Sequence, residues 1–186
     1  ISMIGGTCLE YNLQESSDFR LDIEDLKRSL TGDVDLFAFC NPNNPTGELT
    51  DREMLLKLSQ KCREHQVFFA VDECFLDFVP KGQDYELAGC LKYNRHIFLL
   101  KAFTKRYAMA GVRLGYALCA DRELLEKMRM VTQPWNVSIL AQEAGIAALS
   151  EREYVEESMK AIHRERIWLL DGMKRLGYQT YASSAN

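Results

Sequence analysis

Two hydrophobic rhythms alternate along this chain. Short apolar runs at residues 34–40 (VDLFAFC), 67–71 (VFFAV), 96–100 (HIFLL) and 112–120 (VRLGYALCA) read as strands. Elsewhere apolar side chains recur every three or four positions, the spacing of an amphipathic helix. That rhythm predicts helices over residues 22–30, 50–65, 121–130, 138–149 and 151–176. In the second of these, Met54, Leu55, Leu58 and Cys62 form the apolar stripe, and Thr50 with Glu53 has the capping-box spacing. Asp121 is placed to cap the third helix, and Pro134 breaks the pattern after it. Gly177 closes the last helix, because a left-handed terminal residue favours glycine. Residues 178–181 then start a further strand.

Nearly continuous apolar strands separated by helices belong to a mostly parallel sheet buried on both faces. The expected fold is α/β, a three-layer α/β/α arrangement. In such sheets ligands sit beyond the carboxyl ends of the strands. The polar residues just after strands are therefore site candidates: Asn41 to Thr46, Asp72 with Glu73, and Thr104 with Lys105. Taken singly each has a plain explanation. Asn, Pro and Gly punctuate turns, a carboxylate can cap a helix, and most lysines are solvated.

Composition narrows the picture only by exclusion. The chain has 186 residues, 47% of them hydrophobic, enough for a sizeable core. Its net charge of -4 carries no basic footprint for nucleic acid. No apolar run approaches the roughly 18 to 20 residues that span a membrane. The six cysteines are scattered without a CxxC pair, which suits a reducing cytoplasm better than a disulfide framework or a zinc site. His65, His96 and His163 are dispersed and read as surface or packing residues, and Met128 and Met130 as core filler. No metal site is expected.

The three strand-end segments carry more information together than apart. NPNNPTG (41–47), VDECFLDF (71–78) and FTKRYAMAGVRLGY (103–116) stand in this order and spacing. The set resembles the fold-type-I pyridoxal-phosphate enzymes, the class I and II aminotransferase superfamily, over almost the whole chain. The resemblance implies the cofactor pyridoxal 5'-phosphate and a role for each matching residue. Lys105 is the Schiff-base lysine, whose amine must be unprotonated to take the aldehyde. Asp72 pairs with the pyridine nitrogen, so that the ring can accept electrons. Asn44 donates to the ring oxygen. Arg113 and Thr104 hold the phosphate, where a planar cation suits the oxygens. Phe75 stands where many members have tyrosine, so that hydroxyl is missing beside the ring oxygen. Ala102 stands where serine or threonine is common, which removes one phosphate contact.

The nearest branch contains histidinol-phosphate aminotransferase and threonine-phosphate decarboxylase. DECFLDF, FTKRYAMAGVRLGY and QPWNVSILAQ (133–142), with Phe75, lean towards the decarboxylase. Trp135 is expected either to line the substrate side or to pack beneath the loop at Pro134. The resemblance further implies a small-molecule amino-acid substrate and a homodimer. It places a partial cofactor-binding large domain at residues 1–150, with a linking helix and the start of a small domain at 151–186. The chain starts at Ile1 without methionine and stops soon after a strand start, so it reads as a segment of a longer protein that lacks turnover by itself. The rival from another class is a non-catalytic interaction protein that keeps this fold. A second rival, a doubly wound nucleotide-binding domain, needs a glycine-rich loop opening a helix, whereas Gly5-Gly6 precedes a strand-like run.

Overall fold

A computed structural model describes residues 1–185. Four strands, β1 (Leu36–Cys40), β2 (Phe68–Asp72), β3 (Ile97–Ala102) and β4 (Gly115–Cys119), form one sheet in the order β1-β2-β3-β4. β1, β2 and β3 run parallel, with Cys40 beside Asp72 and Asp72 beside Leu100. The chain crosses between β1 and β2 through helix α2 (Arg52–Glu64), while α1 (Ile23–Ser29) precedes β1. β4 is antiparallel to β3, with Ala102 opposite Gly115. The expectation of a mostly parallel α/β sheet holds for three strands, and β4 turns back: the connection over residues 103–114 holds only a one-turn helix, Phe103–Arg106, and a 3-10 turn, Ala110–Val112, and no crossover helix. A parallel return needs a crossover, usually a helix packed across the sheet.

Strand alternation sorts the sheet residues onto two faces. Phe69, Val71, Ile97 and Leu99 point to one face and are fully or almost fully buried with Leu26, Leu55, Leu58 and Cys62 of α1 and α2. The opposite face is more open: Phe68 and Ala70 are half-buried, and Leu100 is exposed. That difference decides where a ligand can lie, because Asp72 belongs to the open face and Glu73 to the packed one.

The caps follow the sequence with one correction. Asp22, Asp121 and Ser138 cap α1, α4 (Arg122–Val131) and α5 (Ile139–Ala148) through their side chains. For α2 the cap is Asp51, whose Oδ1 accepts from the Met54 amide at 2.8 Å, and not Thr50. Thr50 is buried, its amide donating to Asn41 Oδ1 at 2.8 Å. The long helix α6 (Arg152–Arg175) ends before Gly177 at φ +80, as expected. Residues 178–181 do not form the expected strand. Met130 is 84% exposed and Met128 is also exposed, so neither is core filler here. They belong to α4, none of whose residues is buried.

The last described residues return to the sheet. The Ser184 amide donates to Gly47 O at 2.9 Å, and Ala185 is buried with Leu76 and Val79. Gly47 has φ +70, and a Cβ there would lie 2.1 Å from Ser183 Oγ and 2.6 Å from its Cβ. A Gly47→Ala substitution therefore combines a left-handed backbone with a backbone-adjacent clash. The expected cost is about 1–3 kcal/mol, read as a lower thermal midpoint of the full-length protein. An unchanged midpoint would show that this segment does not dock on the loop in solution.

Candidate active site

The carboxyl ends of the parallel strands and the amino end of the antiparallel one meet at a single edge of the sheet. This is where β1 delivers the Asn41–Gly47 loop, β2 delivers Asp72, and β3 leads into the one-turn helix α3 (Phe103–Arg106) that carries Lys105. Because β4 runs backwards, the residues just before it lie at the same edge. Pairing continues there, with the Phe103 amide donating to Leu114 O at 3.1 Å. The reversal of β4 is thus what brings Arg113 to the end of the sheet that carries Lys105.

Asp72, Phe75 and Lys105 form the centre of the group. Asp72 Oδ1 accepts from the Cys74 amide at 2.9 Å, a short turn that fixes the carboxylate after the strand. Phe75 packs in a cluster with Leu76, Val79, Phe78 and Leu49. Lys105 Nζ lies 5.7 Å from the centroid of the Phe75 ring, a cation–π contact. The Lys105 side chain is exposed, open to an incoming group. Asn44 is exposed on its loop, two residues after Pro42, whose carbonyl accepts from Cys40 Sγ at 3.2 Å. Cys40 in turn neighbours Asp72 across the strand pair, so the loop that carries Asn44 leaves the sheet beside Asp72. Thr104 is half-buried next to Lys105. Arg113 is exposed at φ +59, and its Nη1 donates to Ala110 O at 3.1 Å. Trp135 is 95% exposed, so it does not pack beneath the Pro134 loop.

Two thiols and a second lysine also belong to this edge, and the sequence patterns did not single them out. Burial, and then the Asp72 carboxylate, push the Cys74 thiol up to about 12, while burial and then Asp72 also raise that of Cys40. Both stay protonated at neutral pH and do not compete with an amine as nucleophiles. Lys101 is only 8% exposed on the packed face, with Nζ 2.8 Å from Glu73 Oε2 and 2.7 Å from Glu86 Oε1. Burial alone would favour its neutral form, but the two carboxylates outweigh it and raise its pKa. Lys101 is therefore held as an ammonium on the packed face, whereas Lys105 is the exposed lysine of this edge. The strand alternation Ile97, Leu99, Lys101 already marks it as inward-facing. Behind the edge, Lys101, Glu86, Asp77, Arg106 and Tyr116 line a cavity of about 230 Å³.

Among the described residues no three His, Cys, Asp or Glu side chains gather as a metal site would require. No helix of the described residues is long and apolar enough to cross a membrane.

The chain is similar in sequence and fold to known proteins. The family described as aminotransferase class I and II matches it over residues 1–186. The threonine-phosphate decarboxylase of Salmonella typhimurium is 34% identical over 155 residues, which cover 83% of this chain and 42% of that protein. The histidinol-phosphate aminotransferase 2 of Carboxydothermus hydrogenoformans is 31% identical, over 100% of this chain and 50% of that protein. The crystal structure of the histidinol-phosphate aminotransferase from Clostridium acetobutylicum superposes with a TM-score of 0.84 at 30% identity, covering 94% of this chain and 51% of that one. The chain spans about half the length of the curated relatives it matches.

Proposed function

This chain belongs to the aminotransferase class I and II family, and we propose that it is the cofactor-holding part of a pyridoxal 5'-phosphate enzyme acting on an amino acid or amino-acid phosphate, with Lys105 as the covalent anchor. The observation that carries the reading is the contact of Lys105 Nζ with the Phe75 ring at 5.7 Å, at the sheet edge where β2 ends in Asp72. The donor set fits the cofactor by its chemistry. It offers a carboxylate for a pyridinium nitrogen, an exposed amine for an aldehyde, and a guanidinium and a hydroxyl for a phosphate.

Bound there, the cofactor supplies an electron sink for the substrate's α-carbon. The protein's own residues do the rest. Asp72, fixed by the Cys74 amide, holds a proton on the ring nitrogen. Lys105 Nζ would hold the aldehyde end, and its amine could move a proton at the substrate α-carbon. Asn44 donates to the ring oxygen, unassisted because Phe75 has no hydroxyl. Arg113 and Thr104 bind the phosphate, the guanidinium with donors beyond the one directed at Ala110 O. Residues 1–150 serve as the partial large domain, and residues 151–186 as the linking helix and the start of a small one. The proposal extends to a homodimer in the cytoplasm.

Between the two reactions of the nearest branch, we favour decarboxylation of an amino-acid phosphate. The support is Phe75 and the likeness at residues 72–78, 103–116 and 133–142, together with the similarity to the Salmonella decarboxylase. The test is to assay the full-length protein for CO2 release from phosphothreonine and for amino transfer from glutamate. Release of CO2 without transfer is the expected result, and transfer alone would reassign the reaction to the aminotransferase side. A protein with neither activity that also fails to retain the cofactor would favour the non-catalytic interaction protein instead.

A further inference from the structure

Lys105 has to meet the cofactor's aldehyde while Asp72 meets its ring nitrogen, and these two groups stand on separate segments, Asp72 at the last residue of β2 and Lys105 in the turn after β3. The strands fix only the roots of those segments. There Asp72 pairs with Leu100, the Glu73 amide donates to Leu100 O at 3.0 Å, and the buried Lys101–Glu73 contact closes the packed face. Beyond the roots the Phe103 amide still donates to Leu114 O at 3.1 Å, but that bond ties the start of α3 to the residue before β4 and not to the segment after Asp72. Phe75 opens the turn Leu76–Phe78, and Lys105 sits in the single turn of α3. A helix of one turn has no stability of its own, so something outside it has to hold Lys105 in place.

The contact that does so is an ion pair between the tips. The guanidinium of Arg106, the residue after Lys105, pairs with the carboxylate of Asp77, two residues after Phe75. The Arg106 guanidinium also lies 5.6 Å from the Tyr107 ring centroid. Tyr107 in turn packs on Phe103 at 5.2 Å, so the turn carrying Lys105 is braced from both of its ends. Burial disfavours charge on Arg106, but Asp77 and Tyr107 more than offset it. The Lys105–Phe75 contact thus lies between two ties, Lys101–Glu73 at the strand ends and Arg106–Asp77 at the tips.

We infer that the Asp77–Arg106 ion pair is a positioning clamp that sets where Lys105 stands relative to Asp72 and Phe75. Neither residue touches the cofactor in this assignment. Both act through Lys105, and the inference rests on the reading of Lys105 as the cofactor anchor.

The test uses the full-length protein with Arg106→Met, Asp77→Asn, the double variant and Arg106→Lys. Three quantities are measured with pyridoxal 5'-phosphate: the half-saturating concentration, the visible circular dichroism per bound cofactor, and the thermal midpoint of the cofactor-free protein. Each single variant is expected to raise the half-saturating concentration about tenfold, and the double variant no further, as for two residues that act as one contact. The visible ellipticity per bound cofactor is expected to change, since the ring then sits differently against the chain. Arg106→Lys keeps the charge and is expected to fall between wild type and Arg106→Met, which keeps the test open where the harsher variants fold poorly. Independent losses that multiply in the double variant would overturn the clamp. So would an unchanged ellipticity per bound cofactor, because a merely structural contact moves the thermal midpoint and not that signature. Wild-type protein that captures no cofactor at Lys105 would instead overturn the reading beneath it.

Discussion

Lys105→Ala in the full-length protein is expected to abolish covalent capture of the cofactor and to lower turnover by at least about 10²–10⁴-fold, the range for removing a positioned acid–base group. The expectation follows from what is left at the edge. Lys101 is the only other lysine of β3 and α3, and it is held as an ammonium by Glu73 and Glu86 on the packed face. It cannot turn to the open face without leaving two carboxylates behind. Cys40 and Cys74 are protonated thiols. Borohydride reduction of the wild type, followed by peptide mapping, is expected to find the pyridoxyl group on the peptide that contains Lys105. Label on Lys101, or full labelling in Lys105→Ala, would sink the assignment. Asp72→Asn should behave differently, retaining capture while losing turnover, because an amide holds no proton on the ring nitrogen as a carboxylate does.

The reading of the site from the sequence rests on places where local chemistry and strand ends coincide. Asp72 and Lys105 could be picked out because a parallel sheet puts its ligands beyond the carboxyl ends, and the apolar runs showed where those ends were. The order of strands was not legible, since nothing in residues 112–120 distinguishes a parallel strand from an antiparallel one. That reversal nevertheless matters, because it carries Arg113 back to the edge that Lys105 occupies. The exposure of α4 and α5 was not legible either. Periodicity reports that a helix has an apolar face, not whether this stretch of chain covers it, and Ile139, Leu140 and Met130 all face outward. The strand expected at 178–181 had β-forming residues but no partner. The chain there instead runs on to Gly47, a contact between positions far apart in sequence. The Asp77–Arg106 pair is of the same kind, two ordinary surface charges until the fold brings them together.

Lys101 is where the sequence was legible and passed over, and its replacement carries the largest expected effect on stability. Lys101→Met is expected to destabilise the protein by about 3–5 kcal/mol, the cost of leaving one member of a buried ion pair uncompensated. Glu73 is 1% exposed, and burial already pushes its carboxyl up while Lys101 and the Leu87 amide hold it back. Without the ammonium that carboxyl climbs further, so the penalty in the variant is largest at neutral pH. It is relieved as falling pH protonates Glu73. On the alkaline side the sign follows from the wild type. The folded-state pKa of Lys101 is raised, so its contribution is complete below the ordinary lysine range. It is lost as pH climbs through the raised folded value. The difference in unfolding midpoint between wild type and Lys101→Met should therefore be greatest around neutrality and shrink towards both extremes. A difference that does not vary with pH would mean that the methylene stem of Lys101, and not its charge, holds β2 to β3. The same variant separates stability from chemistry, because Lys101 faces away from the open side of the sheet. At a temperature where the folded fraction is matched to wild type, Lys101→Met should still capture the cofactor at Lys105.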